Sequence, residues 1–172
     1  MEKLFLLDAY ALIYRAYYGF IKNPRINSRG ENTSAVLGFV NTLEEILHKE
    51  NPQYIGVAFD PHGPTFRHDA FPDYKAQREE TPEGIRFAVP IIKDILKAYR
   101  IPVLEAPGYE ADDVIGTLAK QSESIDGIDT YMMTPDKDYG QLVGKNVKIY
   151  KPRFDGGFDI IGEKEVIGKY NI

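Results

Sequence analysis

Cysteine is absent from the 172 residues of this chain. Its absence excludes disulfide bonds, thiolate catalysis and cysteine-ligated zinc sites. The three histidines, His48, His62 and His68, are scattered along the sequence, which is typical of surface or loop residues. A metal centre in this protein therefore has to be built from oxygen ligands.

Long apolar runs and an excess of basic residues are also missing. No segment approaches the roughly 18 uninterrupted apolar residues of a membrane span, and the apolar N-terminal stretch contains Asp8 and Arg15 and lacks a signal-peptide cleavage pattern. We therefore expect a cytoplasmic protein without a membrane partner. The net charge of -5 argues against coating nucleic acid by bulk charge. Binding to a polyanion would need a local basic patch, or metal cations in an acidic field.

The pattern of apolar residues predicts one α/β domain, residues 1–172, with a sizeable core. Residues 3–7, 53–59 and 129–133 are typical of buried strands in a parallel sheet, and residues 100–105 and 147–150 can supply two more. Helical patterns cover residues 34–49 and 82–99, a DGG turn stands at 155–157, and a last helix is predicted from Gly162. The alternation predicts a mostly parallel twisted sheet flanked by helices.

The run GYEADD at residues 108–113 brings Glu110, Asp112 and Asp113 close together in the sequence. Two unit charges about 4 Å apart repel by about 4 kcal/mol at an effective dielectric constant near 20, so converging carboxylates need a cation or altered protonation. The alternative is that the acids only favour the N-terminus of the helix that begins near Tyr109. By helical geometry Glu110 and Asp112 flank its apolar stripe, whereas Asp113 projects farther from it.

Further acids follow the predicted strands. Asp8, Asp60, Asp136 and Asp138 stand at or just after strand ends, where ligands bind in an open parallel sheet. One aspartate after a strand most often caps the next helix, but seven carboxylates on one rim favour a divalent metal site. Oxygen ligands suit Mg²⁺ or Mn²⁺, and the number of acids suits two ions about 3.5 to 4 Å apart. Such a pair clamps the attacking and leaving oxygens of a phosphodiester.

Residues 61–81 form a polar connection that is longer than usual between a strand and a helix. Basic and aromatic side chains alternate in it, which is typical of a surface for single-stranded nucleic acid: Arg67, Lys75 and Arg78 with Phe66, Phe71 and Tyr74. The alternative is a solvated loop with an aromatic anchor. A second candidate is Arg15, although its neighbours Tyr14, Tyr17 and Tyr18 are more often core residues.

Four segments resemble the 5′ nuclease domain of bacterial DNA polymerase I. They are FLLDAYALIYRAYYG at 5–19, VAFDPHGPTFRHDAFPDYKAQR at 57–78, PGYEADDVIGTLA at 107–119 and TPDKDYGQLV at 134–143. Their order and spacing match over nearly the whole chain. The resemblance implies a PIN-like α/β fold related to the flap endonucleases, two divalent metal ions, and hydrolysis of DNA at 5′ ends and 5′ flaps.

The resemblance also implies roles for individual residues. Acidic metal-site positions fall on Asp8, Asp60, Glu110, Asp112, Asp113, Asp136 and Asp138. Basic positions that face the scissile phosphate or the entering strand fall on Arg15, Lys75 and Arg78. Arg67 and Tyr74 are further expected nucleic-acid contacts, from the composition of residues 61–81. Residues 61–81 correspond to the gateway through which a 5′ single strand passes.

The chain departs from the family pattern at its C-terminus. In the family, a further acidic pair and a helical hairpin that grips duplex DNA follow the segment that resembles GEKEVIGKYNI, whereas this chain stops at Ile172. We therefore expect an N-terminal piece of a longer polymerase or of a stand-alone 5′ nuclease. In that piece one metal ion is expected to bind tightly and the second weakly, and cleavage is expected to be impaired.

Other functions share some of these features. A PIN-type ribonuclease would share the acidic strand ends but is expected to lack the long basic loop. A phosphatase with an aspartyl nucleophile is disfavoured, because Asp8 is followed by Ala9 and Tyr10 and not by a second acid two residues on. The chain can also be a catalytically silent nucleic-acid-binding module whose acids only cap helices.

Overall fold

A computed structural model describes residues 1–170, which contain a six-stranded sheet. The strands are β1 (Glu2–Asp8), β2 (Tyr54–Ala58), β3 (Val103–Leu104), β4 (Ile128–Met133), β5 (Val147–Pro152) and β6 (Phe158–Ile161). Their order is β3-β2-β1-β4-β5-β6; the first five are parallel, and β6 runs antiparallel to β5. The chain moves outward in opposite directions on the two sides of β1, so a binding crevice is expected beyond the carboxyl ends of β1 and β4.

Helices cover both faces of the sheet. They are α1 (Ala9–Gly19), α2 (Ser34–Glu50), α3 (Phe66–Ala70), α4 (Glu83–Ala98), α5 (Ala111–Ser122) and α6 (Glu163–Tyr170), with a 3₁₀ helix at Lys137–Leu142. Successive side chains of β1 point to opposite faces, as the period of two in a strand requires. Phe5 and Leu7 pack in the cluster with residues of α1, α2 and α4, whereas Leu6 packs in the cluster with Ile115 of α5.

Most of the predicted elements are confirmed, including the mostly parallel α/β sheet and the helices that begin after Pro82 and Gly162. Residues 100–105 are a strand only at Val103–Leu104, because Arg100 has a positive φ of 58° and Pro102 has no N–H for a ladder. The sequence patterns missed β6, α3 and the 3₁₀ helix. The DGG turn is present, with Gly156 and Gly157 at positive φ between β5 and β6.

Two predictions concern the ends of the domain and the membrane. The predicted domain ends at Ile172, which lies outside the described residues, so its boundaries stay a prediction. Among residues 1–170, no helix is both long and apolar enough to cross a lipid bilayer.

Candidate metal centre and nucleic-acid cleft

The carboxyl ends of two neighbouring strands each deliver an aspartate. Asp8 is the last residue of β1 and caps α1, with its Oδ1 accepting a hydrogen bond from the backbone N of Ala11 at 3.3 Å. Asp60 follows β2, and its Oδ1 accepts from the backbone N of Ala111 at 2.8 Å. Asp60 therefore ties the end of β2 to the first residue of α5, which brings the GYEADD run to this edge of the sheet.

Glu110, the residue before α5, is buried, with 6% of its surface exposed. Its Oε2 accepts hydrogen bonds from Nη1 of Arg67 at 3.2 Å and from the Tyr74 hydroxyl at 3.1 Å, and its Oε1 accepts from Nζ of Lys75. All three donors come from residues 61–81. The predicted basic loop is therefore attached to the first turn of α5, and it contains the helix α3 where an irregular connection was predicted.

Asp112 and Asp113 differ in their environments although they are adjacent. Arg67 lowers the pKa of Asp113 through two hydrogen bonds. Partial desolvation and repulsion from Asp113 and Glu110 raise the pKa of Asp112. One carboxylate oxygen from each of Glu110, Asp112 and Asp113 lies within 4.8 Å of the other two. The structure thus brings these three acids close together, and their role as metal ligands stays a prediction.

The pKa of Asp8 is raised to about 6. Burial is the largest cause, and the nearby charges of Asp60 and Asp112 add to it, while hydrogen bonds from Ala11 and Tyr139 act in the opposite direction. Close carboxylates raise one another's pKa unless a cation compensates their charge. The acids of this site offer only oxygen ligands, and their negative charges repel one another. They therefore fit a hard divalent cation.

Asp136 and Asp138 belong to the turn that follows β4. Asp136 caps the 3₁₀ helix, and its Oδ1 accepts from the backbone N of Asp138 at 2.9 Å. Both residues are exposed and face the same cleft as the acids described above. Within the described residues they do not join the tight group of three.

One cleft of about 840 Å³ is lined by six of the seven predicted acids, together with three of the predicted nucleic-acid contacts. Its predicted members are Asp8, Asp60, Glu110, Asp112, Asp136 and Asp138, with Tyr74, Lys75 and Arg78. Asp113 and Arg67 line an adjoining pocket of about 510 Å³ that shares Asp112, Asp136 and Asp138 with the cleft. The structure thus brings the acids of distant segments to one edge of the sheet.

Arg15 is placed differently from the other predicted basic residues. Its guanidinium donates to the backbone carbonyl of Arg153 in the turn between β5 and β6, and it is not among the residues that line the cleft. Its neighbours on α1, Tyr14 and Tyr18, do line the cleft. A role for Arg15 at the phosphate would require its side chain to leave Arg153, and that role stays a prediction.

Sequence reasoning missed Tyr139 and Tyr10, two tyrosines that line the cleft. Tyr139 is buried and its hydroxyl donates to Oδ2 of Asp8 at 3.1 Å, and Tyr10 lines the cleft on α1. Tyr10 stands two residues after Asp8, so its position beside a predicted ligand is the signal that could have identified it. Tyr139 is 131 residues away from Asp8, and no sequence signal links the two.

Comparison with known proteins assigns the chain to a family. A family model described as the 5′-3′ exonuclease, N-terminal resolvase-like domain matches residues 3–171. The chain belongs to this family. The predicted resemblance to the 5′ nuclease of DNA polymerase I is therefore confirmed.

Curated relatives in this family are longer than the chain. The 5′-3′ exonuclease of Aquifex aeolicus (strain VF5) is 39% identical over 172 residues, which cover 100% of this chain and 57% of that protein. DNA polymerase I of Treponema pallidum (strain Nichols) is 43% identical over 154 residues, which cover 90% of this chain and 15% of that protein. The chain thus spans little more than half of the first relative and a smaller share of the second.

Solved structures share the fold at low sequence identity. T5 5′-exonuclease with bound zinc ions gives a TM-score of 0.71 at 18% identity and covers 99% of this chain and 62% of that chain. The catalytic core of Rad2 in complex with DNA substrate gives a TM-score of 0.53 at 21% identity, with coverage of 99% and 51%. The predicted PIN-like α/β fold is confirmed by these similarities.

Proposed function

We propose that this chain forms the catalytic domain of a metal-dependent nuclease that hydrolyses DNA phosphodiesters at 5′ ends and 5′ flaps. The reaction would remove primers and flaps during DNA replication and repair. The observation that supports the proposal is the cleft that brings six of the predicted metal-site carboxylates together with Lys75 and Arg78. The names of the relatives, a 5′-3′ exonuclease and a DNA polymerase I, agree with this activity.

The oxygen ligands of the cleft suit two divalent ions, Mg²⁺ or Mn²⁺. Asp8, Asp60, Glu110 and Asp112 would hold the first ion. Asp113, Asp136 and Asp138 would hold the second, on the side where the adjoining pocket opens. Bound divalent ions supply an activated water and stabilise the departing oxygen in this kind of hydrolysis, so a separate protein base is not required. Tighter binding of the first ion than of the second stays a prediction.

The protein's own cations would position the DNA strand. Arg78 is exposed at the cleft and forms no ion pair with an acid among residues 1–170, so its charge is available to a phosphate. Lys75 lines the same cleft but is paired with Glu110, so it becomes available once that carboxylate binds a cation. Tyr10, Tyr14 and Tyr18 line the cleft with aromatic rings on which bases can stack. The role of residues 61–81 as a gateway for a 5′ single strand fits this arrangement.

A cleavage assay tests the proposal directly. A DNA duplex with a labelled 5′ flap is incubated with Mg²⁺, with EDTA, and with the variants Asp60→Asn and Asp126→Asn. The Asn side-chain oxygen can still accept from Ala111, so Asp60→Asn is expected to fold but to lose cleavage by at least about 100-fold, as expected when a metal ligand is lost. Asp126, an exposed residue outside the cleft, provides the matched control.

Three outcomes separate the alternatives. Cleavage that survives EDTA, or an Asp60→Asn variant as active as the wild type, would contradict the proposal. Preference for an RNA strand would favour a PIN-type ribonuclease.

Comparison of the 172-residue chain with a version extended through the hairpin segment tests the predicted impairment of cleavage. Equal cleavage rates would contradict that prediction. The cytoplasmic location and the continuation into a polymerase domain stay predictions.

A further inference from the structure

Tyr139 joins two parts of the acidic site that are far apart in the sequence. It lies in the 3₁₀ helix directly after Asp138, and its hydroxyl donates to Oδ2 of Asp8 at 3.1 Å. The other oxygen of Asp8 accepts from the backbone N of Ala11 at 3.3 Å. Each carboxylate oxygen therefore has its own donor, so the plane of the Asp8 carboxylate is fixed at two points.

The ring of Tyr139 is itself held rigidly. Only 3% of the residue is exposed, and it belongs to the core cluster that contains Leu6 of β1, Ile115 of α5 and Ile149 of β5. Protein interiors are close-packed, so a ring in such a cluster has little freedom to move its hydroxyl. The position of the hydroxyl is thus set by the core and not by the solvent-exposed part of the cleft.

We propose that Tyr139 is a positioning residue for Asp8, which holds this carboxylate in the orientation required to bind a divalent ion. The inference rests on the proposed metal-dependent function. A carboxylate oxygen has more than one lone pair, so Oδ2 can accept from Tyr139 and still bind a cation. Groups that orient a metal-binding side chain typically change metal affinity about 10- to 100-fold when they are removed.

The chain offers a matched control in Tyr150. This tyrosine is also buried, with 4% exposed, and its hydroxyl donates to Oε1 of Glu50 at 2.9 Å. Glu50 pairs with Lys3 near the start of β1, whereas Asp8 is at the other end of that strand. Tyr139→Phe and Tyr150→Phe therefore remove the same group from the same kind of contact, but only the first contact involves a proposed metal ligand.

Calorimetric titration with Mn²⁺ tests the inference, together with thermal unfolding of the metal-free proteins. Tyr139→Phe is expected to weaken Mn²⁺ binding about tenfold or more, and Tyr150→Phe to leave it within about twofold of the wild type, since only Tyr139 contacts a proposed ligand. Both variants are expected to lower the unfolding temperature by similar amounts. In the Asp8→Asn background, Tyr139→Phe is expected to have no further effect on Mn²⁺ affinity, because it acts through Asp8.

The outcomes distinguish this inference from the proposed function. If the wild type binds Mn²⁺ and Tyr139→Phe binds it equally well, the positioning role is overturned while the metal site stands. If the wild type binds no Mn²⁺, the proposed metal site itself is overturned. Equal losses of affinity in Tyr139→Phe and Tyr150→Phe would also overturn the inference, since they would reflect general destabilisation. If Tyr139→Phe does not fold, Tyr139→Met carries the same comparison.

Discussion

Arg67 binds both carboxylate oxygens of Asp113, with Nη1 2.6 Å from Oδ2 and Nη2 2.7 Å from Oδ1. Its guanidinium also lies over the ring of Phe66, 4.6 Å from the centroid. The planar fork of arginine matches a carboxylate at two points, which lysine cannot reproduce. The contact fastens α3 to the first turn of α5, so binding of a metal ion by Asp113 has to compete with Arg67.

We expect Arg67→Ala to loosen α3 and to destabilise the fold. Both side chains of the pair are about three-quarters buried, at 27% and 23% exposed. Loss of the two hydrogen bonds to Asp113 and of the one to Glu110 is expected to lower the free energy of unfolding by about 1 to 3 kcal/mol. Urea denaturation measures this change. Hydrogen exchange measured at the backbone amides of Phe66–Ala70 should become faster.

Arg86→Ala is the control for Arg67→Ala. Arg86 pairs with Glu80 at 2.9 Å, but the two side chains are 57% and 83% exposed. Exposed pairs contribute about 0 to 1 kcal/mol, so this variant should be nearly as stable as the wild type. Equal stability of the two variants would show that the Arg67 contact does not anchor the loop.

Asp112→Asn is expected to change metal binding and stability in opposite directions. Neighbouring carboxylates repel Asp112 in the metal-free state, so a neutral side chain should leave the unfolding temperature unchanged or raise it slightly. The same change removes a metal ligand and should weaken Mn²⁺ binding at least about tenfold, by calorimetry. Asp126→Asn should alter neither quantity. A silent binding module, whose acids only cap helices, predicts unchanged Mn²⁺ affinity in Asp112→Asn.

The ion pair at the start of β1 predicts a pH dependence of stability that is independent of the cleft. Burial alone would raise the pKa of Glu50, but hydrogen bonds from Lys3 and Tyr150 and the charges of Lys3 and Lys49 lower it below 4.5 overall. Since the folded state then binds fewer protons than the unfolded state, Glu50 stabilises the fold above about pH 4.5, and this contribution is lost as the pH falls through its folded pKa.

Glu50→Gln tests this dependence. At pH 7 the variant should have a free energy of unfolding about 1 kcal/mol lower than the wild type, because charge-assisted hydrogen bonds are lost. The difference should shrink as the pH is lowered below the usual range of a carboxyl group. Urea denaturation at several pH values measures it. A difference that is the same at every pH would mean that the charge of Glu50 contributes nothing.

The parts of the site that follow from strand direction could be predicted from the sequence. Asp8 and Asp60 come at the ends of apolar runs, and parallel strands bring such ends to one edge. Contacts between side chains could not be predicted in this way. The hydroxyl of Tyr139 reaches Asp8 through the packing of the core, which depends on where the 3₁₀ helix lies and not on a local pattern.

Short elements account for most of the structural features that the sequence patterns missed. α3 has five residues, too few to show a repeating apolar face, and none of them is buried. β6 has four residues without a buried side chain, so it shows no clear alternation. Arg15 donates to the carbonyl of Arg153 beside the predicted DGG turn. The two residues are 138 positions apart, so no local pattern in the sequence indicates this contact.

Lys75→Ala and Arg78→Ala are expected to weaken binding of single-stranded DNA without weakening binding of Mn²⁺. Each variant removes one cation from the cleft, so the affinity for DNA should fall. The plot of log affinity against log salt concentration should also become less steep, by about one unit or slightly less for each phosphate that the variant no longer neutralises. Fluorescence anisotropy with a labelled oligonucleotide at several salt concentrations measures both. Lys97→Ala, on the exposed last turn of α4, provides the control.

The two variants should differ in their effect on the metal site. Burial alone would lower the pKa of Lys75, but the hydrogen bond to Glu110, the charge of Glu110 and the contact with Tyr74 together raise it. Lys75 therefore competes as a cation for the Glu110 carboxylate. Lys75→Ala is therefore expected to bind Mn²⁺ as tightly as the wild type or more tightly, whereas Arg78→Ala, which removes no acid's partner, should bind it equally. Weaker Mn²⁺ binding in either variant would count against a gateway role. It would mean that the side chain stabilises the metal site and does not contact the DNA strand.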